Sequence, residues 1–192
     1  MTYNIGILGA GSVGSTLGIK WALKGHKVTF GVRNPEKYLQ LSKKSANISV
    51  EPLNEMIKTH SLLVLALPGR EVGAILSTLG DLTNKQIIDA TNMYGMNKLE
   101  EQFPKSHFVK AFNHIGFDVM QKPQIGNDTV TLLYCGNQEE LLKITNKLIK
   151  DIGFEPFFIG DSTFASDLES YAMLWIKMSR KIGRNFGFKL IH

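Results

Sequence analysis

The sequence predicts an α/β chain built on a doubly wound, mainly parallel sheet with a C-terminal helical extension. Three observations carry this. Short apolar runs alternate with amphipathic segments, which is the rhythm of βαβ units. The run from Leu62 to Leu67 is apolar throughout, as expected of a strand covered on both faces. A glycine cluster, Gly9-Ala10-Gly11-Ser12-Val13-Gly14, separates the first strand from the first helix. At 192 residues, with no linker, repeat or low-complexity stretch, the chain reads as a single domain over 1–192.

The elements follow in order. Ile5 to Leu8 is a strand, and Ser12 to Lys24 a helix stopped by Gly25. Lys27 to Phe30 is a second strand. Asn34-Pro35 opens a second helix, with proline where its missing donor is harmless. Strands are expected at Asn47 to Val50, Leu62 to Leu67, Gln86 to Ala90 and His107 to Phe112, with helices at Leu53 to Lys58 and Glu71 to Thr78. Two further strands, Thr129 to Cys135 and Glu155 to Ile159, flank a helix from Gln138 to Lys150. A last helix covers about 163–186. There Phe164, Leu168, Tyr171, Trp175, Met178 and Ile182 recur at steps of four and three, which puts them on one face. That stripe packs either on the chain's own sheet or against a second copy in a homodimer.

Composition narrows the function. A hydrophobic fraction of 43% with 20% charged residues excludes a disordered chain, a collagen and a coiled coil. The one cysteine, Cys135, excludes a disulfide framework and a thiolate-rich metal site. The five histidines, His26, His60, His107, His114 and His192, lack ligand spacing, so no metal is expected. No apolar run approaches the roughly 20 residues of a membrane span, and the Met1-Thr-Tyr-Asn start lacks a signal-peptide pattern. A cytoplasmic protein without a membrane partner is expected. The formal net charge of +5 favours anionic partners, including phosphorylated small molecules. Lys177, Arg180, Lys181 and Arg184 form a basic face without interleaved aromatics, so nucleic acid is not expected.

The glycine cluster is G-x-G-x-x-G in the context that a dinucleotide site requires, after a strand and opening a helix. Gly9 permits the tight turn, Gly11 lets backbone approach a pyrophosphate, and Gly14 allows close packing of helix on strand. Free N–H groups at the helix start, from Ser12 and Val13 onward, then hold phosphate. The end of the second strand selects the dinucleotide. It reads Phe30-Gly31-Val32-Arg33-Asn34, with no carboxylate for a ribose diol and a guanidinium just beyond. Charge-assisted bonds to a 2′-phosphate contribute roughly 1.5–3 kcal/mol, so NADP(H) is expected over NAD(H), with Lys37 assisting.

Several segments together resemble the family of NADP oxidoreductases that act on the deazaflavin coenzyme F420. They are similar also to the N-terminal NADPH domain of six-transmembrane ferric reductases. The segments are Ile7 to Gly14, Gly31-Val-Arg-Asn-Pro35, Leu65-Ala-Leu-Pro68, Asp89-Ala-Thr-Asn92, Val109-Lys-Ala-Phe-Asn113 with Ile115, and Ile152-Gly-Phe154. The resemblance implies a Rossmann-type fold with NADP over the strand ends. Gly9, Gly11, Ser12, Val13 and Gly14 would hold the pyrophosphate, and Arg33 and Asn34 the 2′-phosphate. Leu67 and Pro68 would line the adenosine and ribose, and Asn92, Asn113 and Ile115 would border the nicotinamide. The family often carries a hydroxyl residue before the arginine; here it is Val32, which removes one phosphate bond and weakens NADP selectivity.

The implied chemistry is hydride transfer between NADP(H) and a small-molecule acceptor, with F420 or a flavin as co-substrate. No compact acid–base pair is evident in the motif regions, and the one catalytic candidate is His114, which follows Asn113 at a strand end. Two other readings stand beside this one. An NADP(H)-binding redox sensor or regulatory protein would have the same fold without turnover. A small hydroxy-acid dehydrogenase would use a helical Lys-x-x-x-Asn pair, a spacing met by Lys181 and Asn185.

Overall fold

The computed structural model describes residues 1–191; His192 lies outside the described residues. Its first half winds β1 (Asn4–Leu8), α1 (Ser12–Leu23), β2 (Lys27–Val32), β3 (Ile48–Pro52), α2 (Leu53–Thr59), β4 (Leu62–Leu65) and α3 (Gly69–Leu76). Then come β5 (Gln86–Asp89), α4 (Met96–Gln102), β6 (His107–Lys110), α5 (Phe117–Gln121) and a small hairpin of β7 (Gln124–Ile125) and β8 (Asp128–Thr129). The chain ends with β9 (Thr131–Gly136), α6 (Glu139–Asp151), β10 (Glu155–Gly160) and α7 (Ala165–Ile182). Eight strands form one sheet in the order β10-β9-β6-β5-β4-β1-β2-β3. All neighbours are parallel except β6 and β9. This is the predicted Rossmann-type, doubly wound sheet.

The order reverses between β1 and β4. A ligand crevice opens at such a switch point, outside the carboxyl ends of the strands. One apolar layer lies under α1 and α6, and the other under α2, α3, α4 and the start of α7. Trp21 of α1 anchors the first layer. It is fully buried, and its indole N–H donates to the Leu148 carbonyl of α6 at 3.0 Å.

Four local expectations are corrected. Residues Pro35–Lys44 wind as a 3-10 helix rather than an α-helix. Pro35, Tyr38 and Leu41 recur every three residues, which matches a three-residue turn, and Leu41 is the one residue of the segment that is buried. The sixth strand stops at Lys110 rather than Phe112, because Phe112 turns into the left-handed region at φ 65°. The segment from Thr129 divides between the β7–β8 hairpin and β9. The last helix stops at Ile182, where Gly183 takes φ 84°, so Lys181 and Asn185 do not share a helix face. The dehydrogenase reading loses its one geometric support. The short helices α4 and α5 were not expected.

The stripe on the last helix is divided. Leu168 and Trp175 are buried, together with Ala172, whereas Phe164 and Ile182 are exposed. Arg184 lies beyond the end of the last helix and, though exposed, is paired: its Nε donates to Asp118 at 2.7 Å, and its guanidinium lies over the Phe117 and Trp175 rings. Among the described residues, no helix is long and apolar enough to cross a membrane.

Candidate active site

At the switch point the chain turns from β1 into α1. Gly9 has φ 104°, and a side chain there would strike the Ala66 carbonyl oxygen at 2.7 Å. At Gly14 an added carbon would run into the Gly9 carbonyl. These two glycines are required by the fold itself. Gly11 is different: its backbone is extended and a Cβ would meet nothing within 4 Å. Nothing in the protein demands glycine there, so the bare apron fits a bulky group laid across it. Ser12 is exposed and Val13 half-buried at the start of α1, which has no side-chain N-cap, leaving its N–H groups free for an anion.

A groove of about 280 Å³ runs from Gly9 and Ala10 past Gly31 and Val32 to Arg33, Asn34 and Lys37, with Leu67, Glu71 and Ile75 opposite. The structure therefore brings Gly9 and Ala10 of the glycine loop, the arginine end of β2 and Leu67 to one groove, which Gly11, Ser12, Val13 and Gly14 do not line. Pro68 is exposed and caps α3 just beyond it. The sequence reading missed Glu71, which faces Arg33 across the groove at 3.4 Å from its Nη2.

Further along the strand ends, β5 and β6 stop side by side, with Asp89 opposite Lys110 in register. Lys110 is fully buried, with its Nζ 2.8 Å from Asp89 and 2.7 Å from Glu169 of α7. Burial by itself would lower the lysine's pKa, but the two carboxylates outweigh it and hold the ammonium above its ordinary value. The other Asp89 oxygen accepts from the Thr91 N–H at 2.9 Å and its hydroxyl at 2.7 Å, which fixes the loop after β5. The loops after both strands are tight: Met93 and Phe112 both have positive φ, a sparsely populated conformation for bulky residues.

These loops bring Asn92 and Asn113 together. Asn92 Nδ2 donates to the Asn113 carbonyl at 2.7 Å, and Asn113 Nδ2 donates to Asn92 Oδ1 and to the Leu168 carbonyl, both at 3.0 Å. Two acceptors on Nδ2 fix the amide's orientation. They leave Asn113 Oδ1 a buried acceptor without a partner, which suits an incoming N–H donor such as a carboxamide. The flanking residues are corrected. Ile115 is 6% exposed and packs in the core beneath the loop rather than forming an open wall. His114 is 2% exposed, and its Nε2 donates to the Leu133 carbonyl at 3.1 Å. Burial pushes this imidazole down to about 4, so it is neutral and spent on structure, not on acid–base chemistry. Cys135 is likewise inert, its thiol pushed up to about 12 by burial.

The fold is Rossmann-type, and the strand ends carry a glycine-rich loop and a groove. Residues 4–93 match the family described as NADP oxidoreductase, coenzyme F420-dependent, which bears out the resemblance read from the sequence over that part of the chain. Metalloreductase STEAP3 of Rattus norvegicus is 26% identical over 177 residues, covering 86% of this chain and 36% of that protein. The NADPH-dependent reductive aminase of Aspergillus oryzae is 26% identical over 179 residues, covering 91% of this chain and 59% of that one. The chain thus spans less than two thirds of the curated relatives it matches. A crystal structure from Arthrobacter sp. FB24, assigned as an F420-dependent NADP-reductase, superposes with a TM-score of 0.87 at 26% identity. That match covers 98% of this chain and 99% of the other. A reductive aminase from Aspergillus terreus shares the fold, with a TM-score of 0.74 at 16% identity over 94% of this chain and 62% of its own.

The state of His114 has a measurable consequence. Its folded pKa lies below the unfolded value of 6.5, so the unfolded chain takes up the proton first as pH falls. The contribution of neutral His114 to stability is present above pH 6.5 and is lost as pH falls towards about 4, amounting to roughly 3 kcal/mol. An NMR titration should show the His114 ring unprotonated at pH 5.5; a midpoint near 6.5 would refute its buried, neutral state.

Proposed function

We propose that the protein transfers hydride between NADP(H) and a flavin-like acceptor, with a deazaflavin of the F420 type as the first candidate. The observation that carries this is the shape at the strand ends: an open apron at Gly11, where a side chain would meet no protein atom, beside a groove that runs from Gly9 to Arg33 and Lys37, where a 2′-phosphate would lie. When bound, the nicotinamide supplies the hydride chemistry. The chain's residues bind and position. Helix N–H groups after Gly11 take the pyrophosphate, Arg33 and Asn34 take the 2′-phosphate, and Leu67 and Pro68 line the adenosine ribose. Asn92 and Asn113 orient the carboxamide through the free Asn113 oxygen. The set holds no histidine, cysteine or carboxylate, which suits an acceptor ring that takes hydride without protein nucleophilic help. Alignment of two rings can lower the barrier by several kcal/mol.

The test is anaerobic oxidation of NADPH with deazaflavin, FMN, FAD, a ferric chelate and a cyclic imine as acceptors, and NADH as the parallel donor. Turnover with deazaflavin or a flavin is expected. Turnover with the imine alone would replace the proposed flavin-like acceptor with an imine. Tight NADPH binding without turnover on any acceptor would favour a redox sensor. The variant Gly11→Ala should unfold at the wild-type temperature yet bind NADPH at least tenfold more weakly, because its methyl group occupies ligand space alone. Unchanged binding would remove the observation on which the proposal rests.

We also propose that the outer face of α7 meets a second copy of the chain. Leu174 is 49% exposed there, and Ile182, about two turns on, is 59% exposed. Sedimentation velocity at micromolar concentration should show a dimer; a monomer throughout would refute it.

A further inference from the structure

We infer that Glu71 is a cofactor-discriminating residue, which occupies Arg33 and thereby narrows the preference for NADPH over NADH. The inference rests on the NADP(H) reading of the groove. It starts from a charge placement that the sequence motifs do not disclose. Glu71 lies in the first turn of α3, after β4, and Arg33 lies at the end of β2; β1 runs between their strands. Both line the same groove, and the carboxylate stands 3.4 Å from the guanidinium. The pair is at the surface, with Arg33 72% and Glu71 40% exposed. An exposed pair of this kind contributes little to stability. Its consequence lies in the ligand it meets.

A 2′-phosphate brings close to two negative charges to the end of the groove. To reach Arg33 it must displace Glu71 and then remain near that carboxylate. Like charges at such range oppose binding, even when water softens them. The site has little to offset the repulsion: Val32 stands before Arg33 and carries no hydroxyl, and Lys37 is the other cation lining the groove. A ribose bearing a free 2′-hydroxyl meets the reverse situation. It can donate to Glu71 and leave the ion pair whole. Arg33 and Glu71 together therefore treat the two dinucleotides more evenly than Arg33 alone would.

The experiment is direct titration of NADPH and NADH into the full chain, read by tryptophan fluorescence and by calorimetry. The proteins are wild type, Glu71→Gln, Arg33→Gln, and the two substitutions combined. Glu71→Gln is expected to tighten NADPH by about twofold to fivefold, the scale of an exposed charge interaction, and to leave NADH unchanged or weaker. The gain should be smaller in the Arg33→Gln background, where the guanidinium is gone and only the direct repulsion between Glu71 and the phosphate is relieved. Glu71→Ser serves as a second neutral variant if the glutamine side chain rebinds Arg33, and the unfolding temperature of each unliganded protein checks that the fold is intact. Unchanged or weaker NADPH binding in both neutral variants overturns the inference while the cofactor assignment stands. Failure of wild type to bind either nucleotide overturns the cofactor assignment and this inference with it.

Discussion

The carboxyl ends of β5 and β6 are held by one buried ionic contact, and the second half of the site depends on it. Lys110 cannot stay charged inside the protein without partners, because desolvating an ammonium costs several kcal/mol. Asp89 from the neighbouring strand and Glu169 from α7 supply them. The contact thereby joins three elements that are remote in sequence. Asp89 passes the constraint to Thr91 and so to the Asn92 loop. The α7 backbone passes it to Asn113 through the Leu168 carbonyl. A Rossmann sheet has no intrinsic reason to pin its last helix across these strand ends; the ion set provides one.

The two halves of the groove are built by different physics. Around β1 and α1 the shape comes from the backbone, with glycines that permit a turn and a close approach. Little side-chain chemistry is involved until Arg33 and Glu71. Around β5, β6 and α7 the shape comes from side chains that must satisfy one another in a dry environment, where an unmade bond costs more than a made one contributes. Asn113 Oδ1 is the exception there, a buried acceptor without a partner. The first half suits a phosphate-bearing chain with latitude in its ribose, and the second suits a ring that must be held in one orientation.

The legible and illegible parts of the sequence divide along the same line. The order of strands, the switch point and the glycine loop were readable because they depend on local pattern: apolar runs, a glycine spacing, an arginine after a strand. The contacts of Lys110 were not readable, since Asp89 and Glu169 lie 21 and 59 residues away. A charged residue inside a segment otherwise reading as strand was the available signal, present at both Asp89 and Lys110. Glu71 was hidden for the same reason, since nothing local links it to Arg33. His114 misled because position after a strand end indicates chemistry, while burial, which decides its protonation, is a property of the packed structure. The 3-10 segment at Pro35–Lys44 was legible in retrospect through its three-residue spacing.

The central claim is that Lys110 holds the second half of the site by pairing with the buried Asp89 and the partly buried Glu169. It is tested most directly by chemical denaturation of Lys110→Met beside the triple variant Lys110→Met/Asp89→Leu/Glu169→Leu. Removing the lysine alone strands the charges and should cost about 3–5 kcal/mol, whereas removing all three should restore most of that loss. A Lys110→Met protein within about 1 kcal/mol of wild type, the scale of a surface pair, would contradict the account.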